Sequence, residues 1–403
     1  MSRSSQPLDV HRDPQSLQHT LNEVVERAVL SGDAPGVVAA VAYGDSVLVS
    51  TSGVMAVNGP AMRRDTLFRI TSMTKPMTAA VVLALVDEGV VGLDEPVDEL
   101  LPELANRQVL RTPDAALDDT VPANRAITTR DLLTFTWGFG MQGAMFMAAE
   151  PWPVVTATIE RDLSTFGPPK PDVTPDPDRW MARLGELPLL AQPGERWLYQ
   201  SGSQVLGVLA SRAAGTPFED LLQQRLFDPL GMSDTSFFTT ATGRLATAYG
   251  RDDSGFVVSD PPDGQWSHPP AFADGGSGLL STVDDFVAFG RMLLSGGSGL
   301  LKPATVAAMT RDQLSREQRT NAWPGFSFLD DRGWGYGVAV SDDGRYGWDG
   351  GFGTTWSNVP TRDMTVVVLT QRAVDETGPP AICAQVLSSA LVATSSSLGA
   401  PPS

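Results

Sequence analysis

Apolar residues in the N-terminal part of the chain follow two spacings, which predict two kinds of element. Residues 14–31 repeat apolar positions at the three- and four-residue intervals of an amphipathic helix. The next stretch, GVVAAVAYGDSVLVSTSGVMAV, predicts two strands joined by a short hairpin turn at Gly44-Asp45. From Ser72 to about Gly89 the helical spacing returns. This part of the chain therefore predicts a helix, a hairpin and a second helix.

Helical patterns occupy the middle of the chain. TTRDLLTF (128–135) begins a helix with Thr129 as a plausible cap. Residues 202–232 predict two helices that each close at a glycine, and residues 281–297 predict a further capped helix. The stretch GPPKPDVTPDPD (167–178) predicts an ordered loop or a flap, because proline interrupts regular elements.

Strand patterns return near the C-terminus, which completes the predicted architecture. From about Trp334 the stretches WGYGVAVS, RYGWDG, TTWSNVP and MTVVVLTQR each predict a strand, and a last helix spans roughly 379–394. We therefore predict an α+β fold (an α/β sandwich), with one antiparallel sheet built from both chain ends, flanking terminal helices and an inserted, mainly helical domain. The corresponding ranges are a polar leader (1–13), an α/β domain (14–70 and 330–396), a mainly helical domain (71–329) and a tail (397–403). An active site would lie in the cleft between the two domains.

The composition permits a large core and argues against some partners. Of 403 residues, 42% are hydrophobic, which is enough to bury a sizeable core. The formal net charge of -18 argues against binding to nucleic acid or anionic membranes, since both need basic patches. The start of the chain lacks the apolar core of a signal peptide, and no stretch reaches the length of a membrane span. We expect a cytoplasmic protein, and the sequence does not predict its oligomeric state.

The scarcity of cysteine and histidine limits the kinds of site and catalytic base that the chain can have. The single cysteine, Cys383, excludes an internal disulfide and a Cys-based zinc site. A Ser-His-Asp hydrolase needs a histidine base, but the three histidines are His11 and His19 near the N-terminus and His268 in a proline-flanked loop. The chain also contains no G-x-S-x-G motif. A serine hydrolase with this sequence would use another base, and we expect no metal or organic cofactor.

The stretch ITSMTKPMTAA contains a first candidate pair, Ser72 and Lys75. Positions three apart share a helix face, so the hydroxyl and the amine could meet, and the start of a helix favours negative charge. Burial of Lys75 would lower its pKa and let it act as a base. In the alternative interpretation, Ser72 caps the helix and Lys75 reaches water. The chain has only three lysines, which favours the functional interpretation.

Tyr199, in WLYQSGSQVLG, is a second candidate because it precedes a predicted helix and could project into the cleft. A nearby lysine ammonium would stabilise its phenolate and make it a proton acceptor for Ser72. The alternative is a core tyrosine whose hydroxyl is hydrogen-bonded.

A third candidate is the glycine-rich stretch RYGWDGGFGTTWSNVP (345–360). Its glycines let a backbone approach another group closely, so that an edge strand beside Ser72 could offer an oxyanion-binding amide. The alternative is an ordinary glycine-rich hairpin.

Together, these motifs resemble the serine β-lactamase/penicillin-binding-protein superfamily, in its class C-like branch, which includes the family VIII carboxylesterases. The resemblance runs from about Gly36 to Arg372 and is carried by FRITSMTKPMTAA, ITTRDLLTFTWGFG, WLYQSGSQVLG and GGSGLLSTVDDF. The S-x-x-K motif is matched fully, which implies that Ser72 is the nucleophile and Lys75 its partner. Tyr199 corresponds to the tyrosine of the Y-x-N motif.

The other matched positions imply an oxyanion hole and a substrate site. The amides of Ser72 and Gly351 are the implied oxyanion hole. The implied substrate-binding residues are Trp348, Asp349 and Gly350, which stand for K-T-G, and Ser201, which stands for the asparagine of Y-x-N. The tryptophan offers a flat apolar wall for an ester where lactamases have a lysine that draws in a carboxylate. This difference and the loss of the amide at Ser201 argue against efficient antibiotic hydrolysis but leave room for a weak β-lactamase side activity.

The resemblance implies a serine carboxylesterase that cleaves a small-molecule ester through an acyl-Ser72 intermediate, with Tyr199 taking the serine proton while Lys75 assists. Met141 and Trp152 could line an adaptable acyl pocket beneath the proline-rich flap, or they could pack as core. The alternative functions are a β-lactamase, a D-amino-acid peptidase or amidase, an acyltransferase that uses the same acyl-enzyme, and a catalytically silent binding protein.

Overall fold

A large antiparallel sheet forms the centre of the computed structural model, which describes residues 14–320, 329 and 332–395. Among these residues, seven strands pair in one sheet. In spatial order they are β2 (Ser46–Gly53), β1 (Gly36–Tyr43), β13 (Met364–Thr370), β12 (Thr354–Val359), β11 (Tyr346–Gly350), β10 (Ala339–Ser341) and β9 (Arg332–Trp334). The first two strands pair with the last strand of the chain, so both chain ends build the sheet as predicted.

The central strands are apolar on both faces because each face is covered. Every residue of β1 is buried. Val37 and Ala39 pack against the helices of the chain ends, whereas Val38 and Ala40 face the larger core on the other side. The predicted hairpin turn at Gly44-Asp45 is present between β1 and β2.

Helices lie on both sides of the sheet. The terminal helices α1 and α13 cover one face, and α10 packs on the other. The described helices are α1 (Pro14–Leu30), α2 (Thr74–Asp87), α3 (Thr129–Leu133), α4 (Ala144–Met147), α5 (Pro153–Glu160), α6 (Pro177–Gly185), α7 (Gly202–Ala214), α8 (Phe218–Leu222), α9 (Asp228–Leu230), α10 (Val283–Leu294), α11 (Pro303–Met309), α12 (Arg316–Thr320) and α13 (Ile382–Ser395). A π-helical stretch, Gln223–Phe227, joins α8 to α9.

Three short antiparallel pairs complete the fold of the described residues. They are β3 (Phe68–Arg69) with β8 (Leu280–Ser281), β4 (Gln108–Leu110) with β5 (Thr120–Pro122), and β6 (Ala248–Asp252) with β7 (Gly255–Asp260). The first pair leads directly into the stretch that contains Ser72, and α2 follows it. Because α2 is buried nearly all round, it lies inside the helical part of the molecule.

Three local predictions need correction. Thr128 caps α3, rather than Thr129, because its hydroxyl and the carboxylate of Asp131 form a reciprocal capping box. WGYGVAVS is not one strand: it spans the last residue of β9, a turn at which Gly337 has a φ of 72°, and the whole of β10. The proline-rich stretch ends inside a helix, since Pro177 begins α6 after an Asp176 cap.

The predicted α+β class with an antiparallel sheet is confirmed. The division into two domains and the flap stay predictions. The polar leader (1–13) and the tail (397–403) lie outside the described residues. Among the described helices, none combines the length and the apolar character that crossing a membrane would require. The cytoplasmic location stays a prediction.

Candidate active site

Ser72 lies in a single helical turn, Thr71–Met73, that runs into α2. The turn is held in place by β3, whose continuation at Ile70 donates a backbone hydrogen bond to Leu279 O at 3.0 Å. Thr71 has a φ of 42°, which is unusual for a β-branched residue and costs about 1–3 kcal/mol. Strain of this size is retained where the surrounding structure fixes a backbone conformation, here directly before the candidate nucleophile.

Lys75 lies one turn further along and is completely buried. Its Nζ is 2.8 Å from Ser72 Oγ, 3.0 Å from Gln200 Oε1 and 2.7 Å from Gly276 O. These three acceptors match the three protons of an ammonium group. The predicted meeting of Ser72 and Lys75 on one helix face is thus present in the structure.

Burial changes the acid–base properties of Lys75. Desolvation lowers its pKa to about 7, because burial disfavours the charged form, and the carboxylate of Asp274 partly opposes this effect. Asp274 is held by the backbone N–H of Gly276 at 2.6 Å and the hydroxyl of Ser277 at 3.0 Å. A lysine with a pKa near neutrality exchanges protons readily at physiological pH.

Tyr199 is buried between Ser72 and Trp348. Its hydroxyl is hydrogen-bonded to Ser72 and accepts a hydrogen bond from Trp348 Nε1 at 2.9 Å. Lys75 Nζ lies 4.7 Å from the centre of the tyrosine ring. The Tyr199 backbone is fixed by antiparallel pairing with Met141. The three candidate residues therefore converge at one point, although they come from distant parts of the sequence.

The electrostatics differ from the expectation that the lysine ammonium would favour a tyrosine phenolate. Burial raises the pKa of Tyr199, the hydrogen bonds that it shares with Ser72 and Trp348 oppose this only in part, and the Asp349 carboxylate adds to the rise. The phenol therefore stays protonated near neutral pH. Of the two candidate bases, Lys75 has the lowered pKa and Tyr199 the raised one.

The end of β11 lies against the turn that contains Ser72. A Cβ on Gly350 would lie 2.3 Å from Ile70 O and 2.8 Å from Thr71 Oγ1, so only glycine allows this approach. A Cβ on Gly351 would meet nothing within 4 Å. The close approach predicted for the glycine-rich stretch therefore holds at Gly350, whereas Gly351 faces open space. The oxyanion role of the Gly351 amide stays a prediction.

Ser72 opens into a cavity of about 610 Å³ with mainly apolar walls. Its lining residues are Thr71, Ser72, Met141, Phe146, Gly167, Pro168, Pro169, Lys170, Tyr199, Gln200, Ser259, Asp260, Gln265, Trp266, Ser277, Arg332, Trp348, Asp349, Gly350, Gly351, Phe352, Ala373 and Val374. We call residues 167–170 the proline-rich wall. A cavity of this size accommodates a drug-sized organic molecule.

Four of the six predicted substrate-binding residues line this cavity, namely Met141, Trp348, Asp349 and Gly350. Ser201 does not, because its buried hydroxyl donates to Phe139 O at 2.9 Å. Trp152 does not either, because its ring packs against the main hydrophobic core at the start of α5. We therefore withdraw these two residues as substrate contacts.

Sequence reasoning missed several residues of the site. Gln200 carries the amide that contacts Lys75, one position before the serine to which the Y-x-N comparison pointed. Gly276 and Asp274 lie in DGGSG, and a Cβ on Gly275 would be 2.7 Å from Ser203 O. The run of glycines in DGGSG is the sequence signal that could have indicated this close packing.

Comparisons with known proteins place the chain in a family. It belongs to the Beta-lactamase family, whose model matches residues 21–385. Protein Rv1367c of Mycobacterium tuberculosis is 36% identical over 340 residues, which cover 79% of this chain and 80% of that protein. Esterase EstB of Burkholderia gladioli is 29% identical over 409 residues, with 94% and 96% of the two chains covered. The chain is thus a serine hydrolase of the β-lactamase superfamily.

Solved structures agree on the fold. EstCE1, described as a hydrolase with promiscuous acyltransferase activity, matches with a TM-score of 0.78 at 24% identity, covering 93% of this chain and 98% of that one. Unliganded simvastatin synthase (LovD) of Aspergillus terreus matches with a TM-score of 0.74 at 22% identity, covering 95% and 99%. At these identities, the likeness concerns the fold alone.

Proposed function

We propose that this protein hydrolyses carboxylic esters of bulky, mainly apolar molecules through an acyl-Ser72 intermediate. The observation that carries the proposal is the buried contact of 2.8 Å between Lys75 Nζ and Ser72 Oγ at the wall of a large apolar cavity. A buried amine with a pKa of about 7 beside a serine hydroxyl is a means of activating that hydroxyl.

In the first step, Ser72 Oγ attacks the ester carbonyl carbon while its proton passes to the neutral amine of Lys75. The carbonyl π electrons move to the oxygen, where the amides of Ser72 and Gly351 would each stabilise the negative charge by about 3 kcal/mol. This assignment revises the expected order of proton transfer, because the phenol of Tyr199 holds its proton more firmly than Lys75 does.

In the second half of acylation, the C–O bond to the alcohol breaks. The alkoxide takes a proton from the pair formed by Lys75 and Tyr199, so the amine ends the step neutral. Water then attacks acyl-Ser72 and gives its proton to the same pair. The acid leaves, and Ser72 Oγ recovers its proton. Tyr199 takes part as a protonated phenol that is hydrogen-bonded to the serine.

The proposed substrate class follows from the cavity walls. Trp266, Phe352 and Trp348 supply aromatic surface, and the two carboxylates on the wall already have arginine partners. Asp260 forms a buried ion pair with Arg69, and Asp349 lies 3.6 Å from Arg332. An uncharged ester with a large apolar group suits this surface best.

The names of relatives support esterase or acyl-transfer chemistry. They include a lovastatin esterase of Penicillium rubens at 29% identity and a monacolin J acid methylbutanoyltransferase of Aspergillus terreus at 28%. Whether water or an alcohol receives the acyl group here is decided by product analysis: added alcohol that becomes the new ester indicates acyl transfer.

The proposal is tested with an active-site label and a substrate panel. A fluorophosphonate should add once to the wild-type protein at Ser72, as seen by intact mass and peptide mapping. Ser72→Ala should lose the adduct and about a thousandfold or more of the turnover of p-nitrophenyl esters. Ser254→Ala, which changes an exposed serine in the β6–β7 turn, is the matched control and should keep both.

Two results would overturn the proposal. One is an unlabelled wild-type protein that has no esterase activity, which would favour a binding protein. The other is full esterase activity in Ser72→Ala. Nitrocefin turnover comparable with that of a p-nitrophenyl ester would instead favour a β-lactamase.

A further inference from the structure

Gln200 joins the candidate base to the wall of the cavity. Its side chain is buried, with Oε1 at 3.0 Å from Lys75 Nζ and Nε2 at 3.5 Å from both Thr165 O and Gly167 O. Both ends require the same amide orientation, because Lys75 offers protons and the two backbone oxygens only accept them. A reversed amide would place its NH₂ against the amine and its oxygen against two carbonyls.

The contacts of Lys75 define a direction for its electron pair. A neutral amine has two N–H protons and one free electron pair. Gly276 O and Gln200 Oε1 can only accept, so each accepts a hydrogen bond from one of the two N–H groups when the amine is neutral. The electron pair then faces Ser72 Oγ, which lies 2.8 Å from Nζ. It is therefore placed to receive the proton of the serine hydroxyl.

We propose that Gln200 is a positioning residue, which holds Lys75 so that the electron pair of its neutral amine faces the hydroxyl of Ser72. The inference rests on the proposed function, since it concerns the base of that reaction. Of the two fixed acceptors, Gly276 O belongs to the backbone, so Gln200 is the one that substitution of a side chain can remove.

Other charged groups around Lys75 bear on the test. Asp274, from the segment between β7 and β8, acts on the amine directly, and Tyr199 lies against it with its ring. Asp349, on β11, acts on Tyr199. None of these groups changes in a Gln200 variant. A shift in the titration midpoint of Lys75 therefore measures the effect of the Gln200 side-chain amide.

Two variants should shift the titration midpoint of Lys75 in opposite directions. Gln200→Glu keeps an acceptor and adds a negative charge about one hydrogen bond away, which should raise the Lys75 titration midpoint by about one to three pH units. Gln200→Met keeps the length of the side chain but removes the acceptor, so the ammonium loses a partner and the midpoint should fall.

The titration can be read without any substrate because the chain has only three lysines. Protein labelled with ¹³C at lysine Cε gives one signal each for Lys75, Lys170 and Lys302, and single Lys→Arg changes at the latter two positions assign them. Gln371→Leu is the control, since it also removes a buried amide, which donates to Val54 O at 2.8 Å. It should lower the Tm and leave the Lys75 signal unchanged.

Kinetics supply the second readout. Gln200→Met should lower kcat by about tenfold to a hundredfold with little change in KM, because a misdirected base affects the chemical step. Gln200→Glu should recover part of the wild-type kcat at a pH above its raised midpoint, because the acceptor for Lys75 is kept, although the second carboxylate oxygen then faces Thr165 O and Gly167 O. A purely structural role would give neither the opposed shifts nor this recovery.

The outcomes separate the two proposals. If both variants titrate like the wild type and keep kcat within about twofold, the positioning role of Gln200 is wrong. If the wild type forms no serine adduct while its Lys75 signal still responds to Gln200, the proposed function fails and the positioning of Lys75 stands.

Discussion

The two regions that form the cavity differ in how far their side chains are buried. Around Ser72, the side chains are buried and hydrogen-bonded, and Lys75 has no exposed surface at all. Across the cavity, Phe146 is 67% exposed, and the proline-rich wall (167–170) presents an exposed Lys170. Both regions line the same space, but the first is buried, whereas the second exposes side chains to solvent.

This difference assigns the two regions different tasks. Proton transfer needs partners within hydrogen-bond distance, and burial both fixes them and lowers the pKa of Lys75. Recognition of an apolar group needs only adaptable contact area. Substitutions near Ser72 should therefore change kcat strongly, and substitutions at Phe146 or in the proline-rich wall should change mainly KM, by no more than about tenfold.

The largest effect is expected for Lys75→Ala. Loss of the base should reduce kcat/KM by about a hundredfold to ten-thousandfold while the fold is retained. Steady-state kinetics with a p-nitrophenyl ester measure the loss, and circular dichroism checks the fold. Lys302→Ala is the matched control, because that exposed lysine does not line the cavity and its amine donates to Asp87 O at 2.6 Å.

The pH profile sharpens this test. Because Lys75 must be neutral to accept the proton, kcat/KM should fall as the pH drops below about 7, and it should level off above that value. The same fall in kcat/KM at low pH should persist in Tyr199→Phe if Lys75 is the base. Wild-type activity in Lys75→Ala, or disappearance of this fall in Tyr199→Phe, would contradict the assignment.

An intermediate effect is expected from a pair of neighbouring glycines near Ser72. Gly350→Ala would place a methyl group 2.3 Å from Ile70 O, so it should displace β11 from the serine turn and lower both the Tm and kcat, the latter by about tenfold or more. Gly351→Ala meets open space and should keep the wild-type Tm. Equal Tm values for the two variants would show that the close approach at Gly350 is not required.

The parts of this site that could be predicted from the sequence are those that depend on short-range residue spacing and residue type. The spacing of Ser72 and Lys75, the scarcity of lysine and the position of Tyr199 before a helix all pointed to residues that the structure brings together. The sheet could be predicted because its strands carry continuous or alternating apolar patterns.

The missed residues depend on contacts between distant segments. Gln200 and Gly276 reach Lys75 across 125 and 201 residues of sequence, a relation that no local spacing encodes. Ser201 was chosen by motif position, although the preceding residue supplies the amide. Trp152 was chosen for its residue type alone, and in the structure it is partly buried and packs against the core.

The smallest effect is expected at the exposed side chain of Phe146. Phe146→Ala removes apolar area that could contact a substrate, which at about 25 cal/mol per Å² corresponds to a rise of up to about tenfold in KM for long-chain esters. Short-chain esters should be affected less, and kcat should stay within about twofold. Ile159→Ala is the control, since that side chain is similarly exposed at 63% but does not line the cavity. A fall in kcat for every chain length would show that Phe146 acts on the chemistry, and the contrast between the two regions would then be wrong.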